Sequence, residues 1–201
     1  MRSPEVLIAT TADRQRVIQS VVLGFAADPL TRWLWPDALT YSKSGEMYDA
    51  FGGRAIEHGT TFVTANHEGV ALWMPPGVEP DEERMTAILE STVPKDRLAD
   101  AFGVFEAMAS YHPEETCWYL PLIAVDPIYQ GRGFGAQLMK EALLKIDSAG
   151  LPAYLESSNP RNISLYERHG FEVMGEIQAG SSPTVTPMIR PANIGLTGST
   201  L

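Results

Sequence analysis

The segment Gln130-Gly131-Arg132-Gly133-Phe134-Gly135-Ala136 sets three glycines at alternate positions. Directly after it, Leu138, Met139, Ala142, Leu143 and Ile146 recur at the spacing of one helical face. A glycine turn that opens a helix presents backbone N–H groups and the positive end of the helix dipole, which together suit a phosphate. Glycines 131, 133 and 135 let a ligand approach the backbone closely, and Arg132 adds a mobile charge at the rim. By themselves these residues fit an anion cradle and an ordinary glycine-rich turn equally well.

The same run satisfies a dinucleotide fingerprint, with Gly131, Gly133 and Ala136 in place and Glu156 about twenty residues on. A nicotinamide-dependent oxidoreductase is therefore one reading. It ranks low, because Asp126 to Gln130 separate the first glycine from the preceding strand and the chain closes on an antiparallel pair. A P-loop is excluded, since no lysine followed by serine or threonine ends the run.

These residues need elements to position them. Glu5 to Ala9 reads as a strand, and Thr10 to Asp13 as a capping signal before an amphipathic helix carrying Val17, Ile18, Val21, Val22 and Phe25. Ala27 to Tyr41, with Asp28-Pro29, Trp33, Trp35 and Pro36-Asp37, favours a loop or broken helix. A helix is expected over 44–58, and a hairpin from Thr60 to Ala65 and Val70 to Met74. Two further helices carry Met85, Ile88 and Leu89, then Leu98, Phe102, Phe105 and Met108, a stripe read as core packing rather than a ligand box.

Thr116 to Val125 is apolar enough for a buried strand, but Pro121 cannot donate to a ladder, so a bulge or unpaired edge is expected there. After the glycine helix, ended by Gly150, come a strand at Ala153 to Glu156, a cap at Asn159-Pro160, a helix through Arg168 and a stop at Gly170. Strands at Phe171 to Ile177 and Thr184 to Ile189 close the fold. Residues 1–190 are read as a single domain, and 191–201, which lack charge and periodicity, as a loosely ordered tail.

Composition bounds the function. Hydrophobic residues at 44% and charged residues at 20% describe a folded globular chain. With 15 basic against 25 acidic side chains the formal charge is −10, which opposes general binding to nucleic acid or anionic membranes. Cys117 is the sole cysteine, so an intrachain disulfide and a thiolate metal cluster are both excluded. His58, His67 and His112 are scattered, and no metal is expected. His169 suits the end of its helix, a structural role. Neither an export segment nor a membrane span is legible, so the cytoplasm is the expected compartment.

Val125-Asp126-Pro127-Ile128-Tyr129 leading into the glycine run, followed by Asn159 and by Leu165-Tyr166-Glu167-Arg168-His169-Gly170-Phe171, resembles the GCN5-related N-acetyltransferase (GNAT) family over about 60 residues. The resemblance implies an α/β fold with a mixed, mainly antiparallel central sheet, splayed at its centre and flanked by helices. It implies acetyl-CoA as co-substrate, with the diphosphate on Gln130, Gly131, Arg132, Gly133, Phe134, Gly135 and Ala136. The pantetheine arm would run beside Ile123, Ala124 and Val125, with Asn159 and Tyr166 near the cofactor, and Tyr166 would be the catalytic acid. Asn159 is equally suited to a plain helix cap, and Tyr166 to a core aromatic.

Amide formation also needs a base, for which Glu114, Glu115 and Glu156 are open candidates. Direct transfer is favoured over an acetyl-Cys117 intermediate, because no base is recognisable beside that thiol in the sequence. The expected acceptor is a small-molecule amine, aromatic or antibiotic-like, with Trp33, Trp35, Tyr41 and Trp73 as walls and acidic residues attracting a cation. The chain is expected to act as a monomer or homodimer. The alternative from another class is a non-catalytic CoA-binding or ligand-sensing module.

Overall fold

The computed structural model describes residues 4–192. Of the expected tail, positions 193–201 lie outside the described residues. Strands β1 (Val6–Ile8), β2 (Thr61–Thr64), β3 (Gly69–Met74), β4 (Trp118–Val125), β5 (Ala153–Ser157), β6 (Glu172–Val173) and β7 (Thr186–Arg190) form one sheet in the order β1-β2-β3-β4-β5-β7-β6. Every neighbouring pair is antiparallel except β4 and β5. A doubly wound dinucleotide fold needs a sheet of successive parallel strands, so this topology overturns the nicotinamide reading.

Helices α1 (Arg14–Gly24), α2 (Pro29–Leu34), α3 (Ala38–Tyr41), α4 (Ser44–Gly52) and α5 (Arg54–Glu57) follow β1. Helices α6 (Glu82–Thr92) and α7 (Leu98–Tyr111) separate β3 from β4, α8 (Phe134–Ser148) joins β4 to β5, and α9 (Ile163–Glu167) precedes β6. The Thr10 signal is a working cap: the Asp13 carboxylate accepts from both the N–H and the hydroxyl of Thr10, at 2.9 and 2.8 Å. The Trp-rich segment is a broken helix, α2 then α3, capped in turn by Asp28 and Asp37. The helix expected over 44–58 is interrupted at Gly53 and forms α4 and α5.

Period-two alternation assigns strand residues to two cores. Val70, Leu72, Met74, Tyr119 and Tyr154 face α1, α4 and α5. Ala71, Trp73, Trp118, Ala153 and Met188 face α8 and α9. Helix α1 lies so close to β4 that a Cβ on Gly24 would stand 2.7 Å from the Ala124 Cβ, so glycine is what permits the contact. The α6 and α7 stripe packs with Leu34, Trp35 and Met47 as a third layer over α2 and α4.

The break expected at Pro121 is present. Between the pairs Met74–Tyr119 and Leu72–Leu122, β3 contributes Trp73 alone while β4 contributes Leu120 and Pro121, which is a bulge. On its other side β4 pairs with β5 only from Trp118 to Leu120. From Pro121 onward the two parallel strands diverge, and the β5-facing edge of β4 is open.

Trp73, with no exposed surface, belongs to the α8 core rather than to any cavity wall. Trp73→Ala is expected to cost about 3–5 kcal/mol in urea unfolding, whereas Trp73→Phe keeps a ligand's affinity within about twofold, the margin of a surface-remote change.

Candidate functional site

The divergence of β4 and β5 opens a cavity of about 770 Å³, including its mouth. Pro121, Leu122 and Ile123 of β4 and Leu155, Glu156 and Ser157 of β5 contribute to one wall. Asp28, Thr31, Leu34 and Trp35 from the α2 region, Met47, Tyr48 and Phe51 from α4, and Phe105 and Met108 from α7 form others. Tyr166 and Asn162 enter from the α9 side. Part of the stripe on α7, read from sequence as core alone, thus also lines the cavity.

The three acidic candidates differ in position. Glu114 and Glu115 are exposed, whereas Glu156 lines the cavity and accepts a 2.7 Å hydrogen bond from the Tyr119 phenol. Tyr119 pairs with Tyr154 across β4 and β5, and Glu156 lies two residues further along β5 on the same face. Burial pushes the Glu156 carboxyl up to about 7, against the lowering effect of its hydrogen bonds. The group can therefore lose and regain a proton near neutrality.

Tyr166 is buried, edge-on to Phe171 at a ring separation of 6.2 Å, and lines the same cavity. Burial first, and the charge of Asp28 second, raise its phenol well above the ordinary value, so it stays protonated at neutral pH. His112, absent from the sequence reading of the site, stands edge-on to Tyr119 and Tyr154 at 5.0 and 4.9 Å. Its Nε2 lies 3.7 Å from the Cys117 sulfur, a neighbour that sequence distance concealed. That proximity does not activate the thiol: burial and then nearby carboxylates push Cys117 up to about 11, and burial depresses His112.

The glycine run lies at the exposed C-terminal end of β4. After the short turn Pro127–Tyr129, the Gln130 side chain donates to the Val125 carbonyl at 3.0 Å and Arg132 stacks over Tyr129 at 5.5 Å. Gly131 and Gly133 have φ of 72° and 86°, and Gly133 is the cap of α8. That left-handed geometry requires glycine at both positions. Among the described residues, no protein acceptor takes a hydrogen bond from the N–H groups of Gly131 to Ala136; the first occupied amide of the helix is Gln137, bonded to Gly133. Six amides thus point from a helix N-terminus with the ordering already built in.

Asn159 caps the turn Pro160–Asn162 through a 3.1 Å bond from the Arg161 N–H, and its neighbour Asn162 is the one that lines the cavity. Of the expected aromatic walls, Trp35 lines the cavity. Trp33 packs outward under Arg97, with its indole N–H toward Ser181, Tyr41 bonds the Val22 carbonyl, and Trp73 is in the opposite core. Phe25, Tyr48, Phe51 and Phe105, rather than Trp33, Tyr41 and Trp73, supply the remaining aromatic surface. No group of three or more His, Cys, Asp or Glu side chains among the described residues is arranged to hold a metal ion. None of the described helices is long and apolar enough to cross a membrane.

Comparison with known proteins matches this geometry. Residues 98–173, from α7 through the glycine turn to α9 and β6, match the acetyltransferase (GNAT) domain model. An uncharacterized N-acetyltransferase of Schizosaccharomyces pombe is 28% identical over 140 residues, covering 63% of this chain and 56% of the relative, so the chain spans little more than half that protein's length. The structure of histone acetyltransferase HPA2 and related acetyltransferase from Corynebacterium glutamicum is 25% identical, with a TM-score of 0.67 over 95% of this chain and 97% of that one. A Drosophila melanogaster polyamine N-acetyltransferase, which catalyzes formation of N-acetylagmatine, shares the fold at a TM-score of 0.63 and 13% identity, over 92% of this chain and 99% of its own. With its mixed α/β sheet and amide-lined turn, the chain is similar in fold to these acetyltransferases, and residues 98–173 within it match the acetyltransferase (GNAT) domain.

Proposed function

We propose that the protein transfers an acetyl group from acetyl-CoA directly to the primary amine of a small molecule. The observation that carries this reading is the row of unbonded amides at Gly131 to Ala136, placed at the open end of β4 beside a cavity that holds Glu156 and Tyr166. When bound, acetyl-CoA supplies the acetyl group as an activated thioester. The residues present fit it: the amides of 131–136 suit the diphosphate, and the unpaired β4 edge at Ile123, Ala124 and Val125 suits the amide-bearing arm, as a β-edge accepts an extended peptide.

Model amines titrate near pH ~10, so the acceptor arrives mainly as a cation. Glu156, held by Tyr119, takes the proton from its nitrogen; a base poised near 7 does this without remaining permanently protonated. The Tyr166 phenol, kept protonated, donates to the departing sulfur. Backbone N–H groups of the splayed strand end polarise the carbonyl. Cys117 stays a thiol and takes no acetyl group. Support for a small amine comes from the enclosed aromatic cavity and from the small-amine product of the Drosophila protein. Cys117-Trp118-Tyr119-Leu120, Leu155-Glu156-Ser157-Ser158 and Pro160-Arg161-Asn162 resemble puromycin N-acetyltransferase, which favours an aromatic or antibiotic-like acceptor.

An amine panel with free-thiol detection tests the reading. Tyr166→Phe is expected to lower kcat by about 10²–10⁴ while calorimetry shows CoA binding retained; a wild-type protein that binds CoA yet acetylates no amine is the sensing module instead. Gly133→Val should weaken CoA at least tenfold, since a β-branched residue cannot hold a φ of 86°. The acid limb of kcat/KM should fall at about pH 7 and vanish in Glu156→Gln.

Stability supplies an independent check. Between the unfolded value of 4.5 and about 7 the folded chain holds a proton on Glu156 that the unfolded chain has released, so stability falls as pH rises across that window. Glu156→Gln should flatten the Tm-against-pH curve there. A part of the slope remains, because burial also raises Asp28.

A further inference from the structure

Asp28 has no role in the chemistry derived above, yet it is a carboxylate only 6% exposed in the wall of the acceptor cavity. It arrives there as the cap of α2, fixed by Pro29 at the first helical position and by the Thr31 N–H, which donates to Oδ1 at 3.0 Å. Its Oδ2 accepts from the Ser158 hydroxyl at 2.7 Å, a bond that joins the α2 region to the segment after β5 across 130 residues of chain. Both of these donors are neutral. Among the described residues Asp28 makes no ion pair, and no Lys, Arg or His lines the cavity.

An apolar chamber with two carboxylates and no cation suits a positive group, because a carboxylate ionised there otherwise has no charged partner. Glu156 meets the amine that reacts. A second acid on a different wall, held in one orientation by neutral donors from Thr31 and Ser158, is a recognition group. Phe51, Phe105 and Trp35 in the same lining supply surface for a flat or apolar spacer.

Resting on the acetyl-transfer reading, we infer that Asp28 is the specificity-determining residue of this pocket: it binds a second cationic nitrogen, so the acceptor is a dicationic amine with an apolar spacer. The same carboxylate disfavours acceptors that carry an anion.

Three probes of matched shape test this: 1,4-bis(aminomethyl)benzene, 4-methylbenzylamine and 4-(aminomethyl)benzoate. Binding by calorimetry and turnover by thiol release are both measured, with the wild type and with Asp28→Asn, whose amide oxygen can still cap α2. Wild type should bind the diamine at least about tenfold more tightly than the monoamine, the worth of one charge-assisted hydrogen bond, and bind the benzoate more weakly than either. In Asp28→Asn the diamine's advantage should fall to about twofold or less, the residue of nonspecific attraction. Equal wild-type binding of diamine and monoamine overturns the inference, as does an advantage that persists in a folded Asp28→Asn. If that variant does not fold, the wild-type ranking of the three probes decides. Asp28-dependent diamine binding with no turnover of any probe upholds the inference and removes the acetyl-transfer reading; turnover with no diamine preference does the reverse.

Discussion

Where β4 stops pairing with β5 governs the rest of this molecule. A parallel pair holds only while both strands keep their ladder, and Pro121 has no N–H to give. The pairing therefore ends at Leu120 and Leu155, immediately before the proline. β3 follows β4 to Val125 by means of the bulge opposite Trp73, so the sheet remains one sheet while opening on a single side. That one-sided opening makes room for the cavity, leaves the far end of β4 with a free edge and sends Glu156 into the gap rather than into a fourth rung with β4.

The site is then assembled from parts that are each stable for ordinary reasons. The glycine turn is held by Gln130 on Val125 and by the left-handed glycines, and leaves its amides unspent. Tyr119 occupies the penultimate paired rung and reaches forward to Glu156, so the last regular part of the sheet positions the carboxylate at the start of the irregular part. The Arg190 guanidinium grips Asp147 and the His169 carbonyl, tying β7 to the ends of α8 and α9 and so fixing the short helix that carries Tyr166. Burial raises Glu156 and Tyr166 alike, with opposite effects at neutral pH. The carboxylate is brought within reach of protonation, and the phenol is kept from ionising.

The chain divides functionally as its local signals do. Residues 98–173, which match the family model, contain the turn, β4, β5, Glu156 and Tyr166. The other cavity walls come largely from earlier residues, in α4 and in the broken helix whose first half, α2, is capped by Asp28. A scaffold that takes one cavity wall from the sheet and others from short helices can change one set without disturbing the other.

By itself the sequence determined the elements whose cause is local. Proline at 121 required a break, glycines at 131, 133 and 170 required left-handed turns, and the Thr10, Asn159 and Gly170 signals placed helix ends, because each acts through the backbone of its immediate neighbours. Period-two alternation showed that Trp73 and Met74 face opposite ways, but which face holds the cavity depends on helices dozens of residues distant. For that reason Trp33 and Trp73 read as walls and lie elsewhere, while Phe105 read as core and lines the chamber. Glu156 could not be separated from Glu114 and Glu115 on one dimension, nor could His112 be seen beside Cys117, since burial and contact across the sheet decide protonation and neither is a property of sequence spacing. Asp28 read only as part of an Asp-Pro pair in a loop or broken helix; the fold makes it the cap of α2, and the packing of the segment after β5 against α2 places the same carboxylate in the cavity wall.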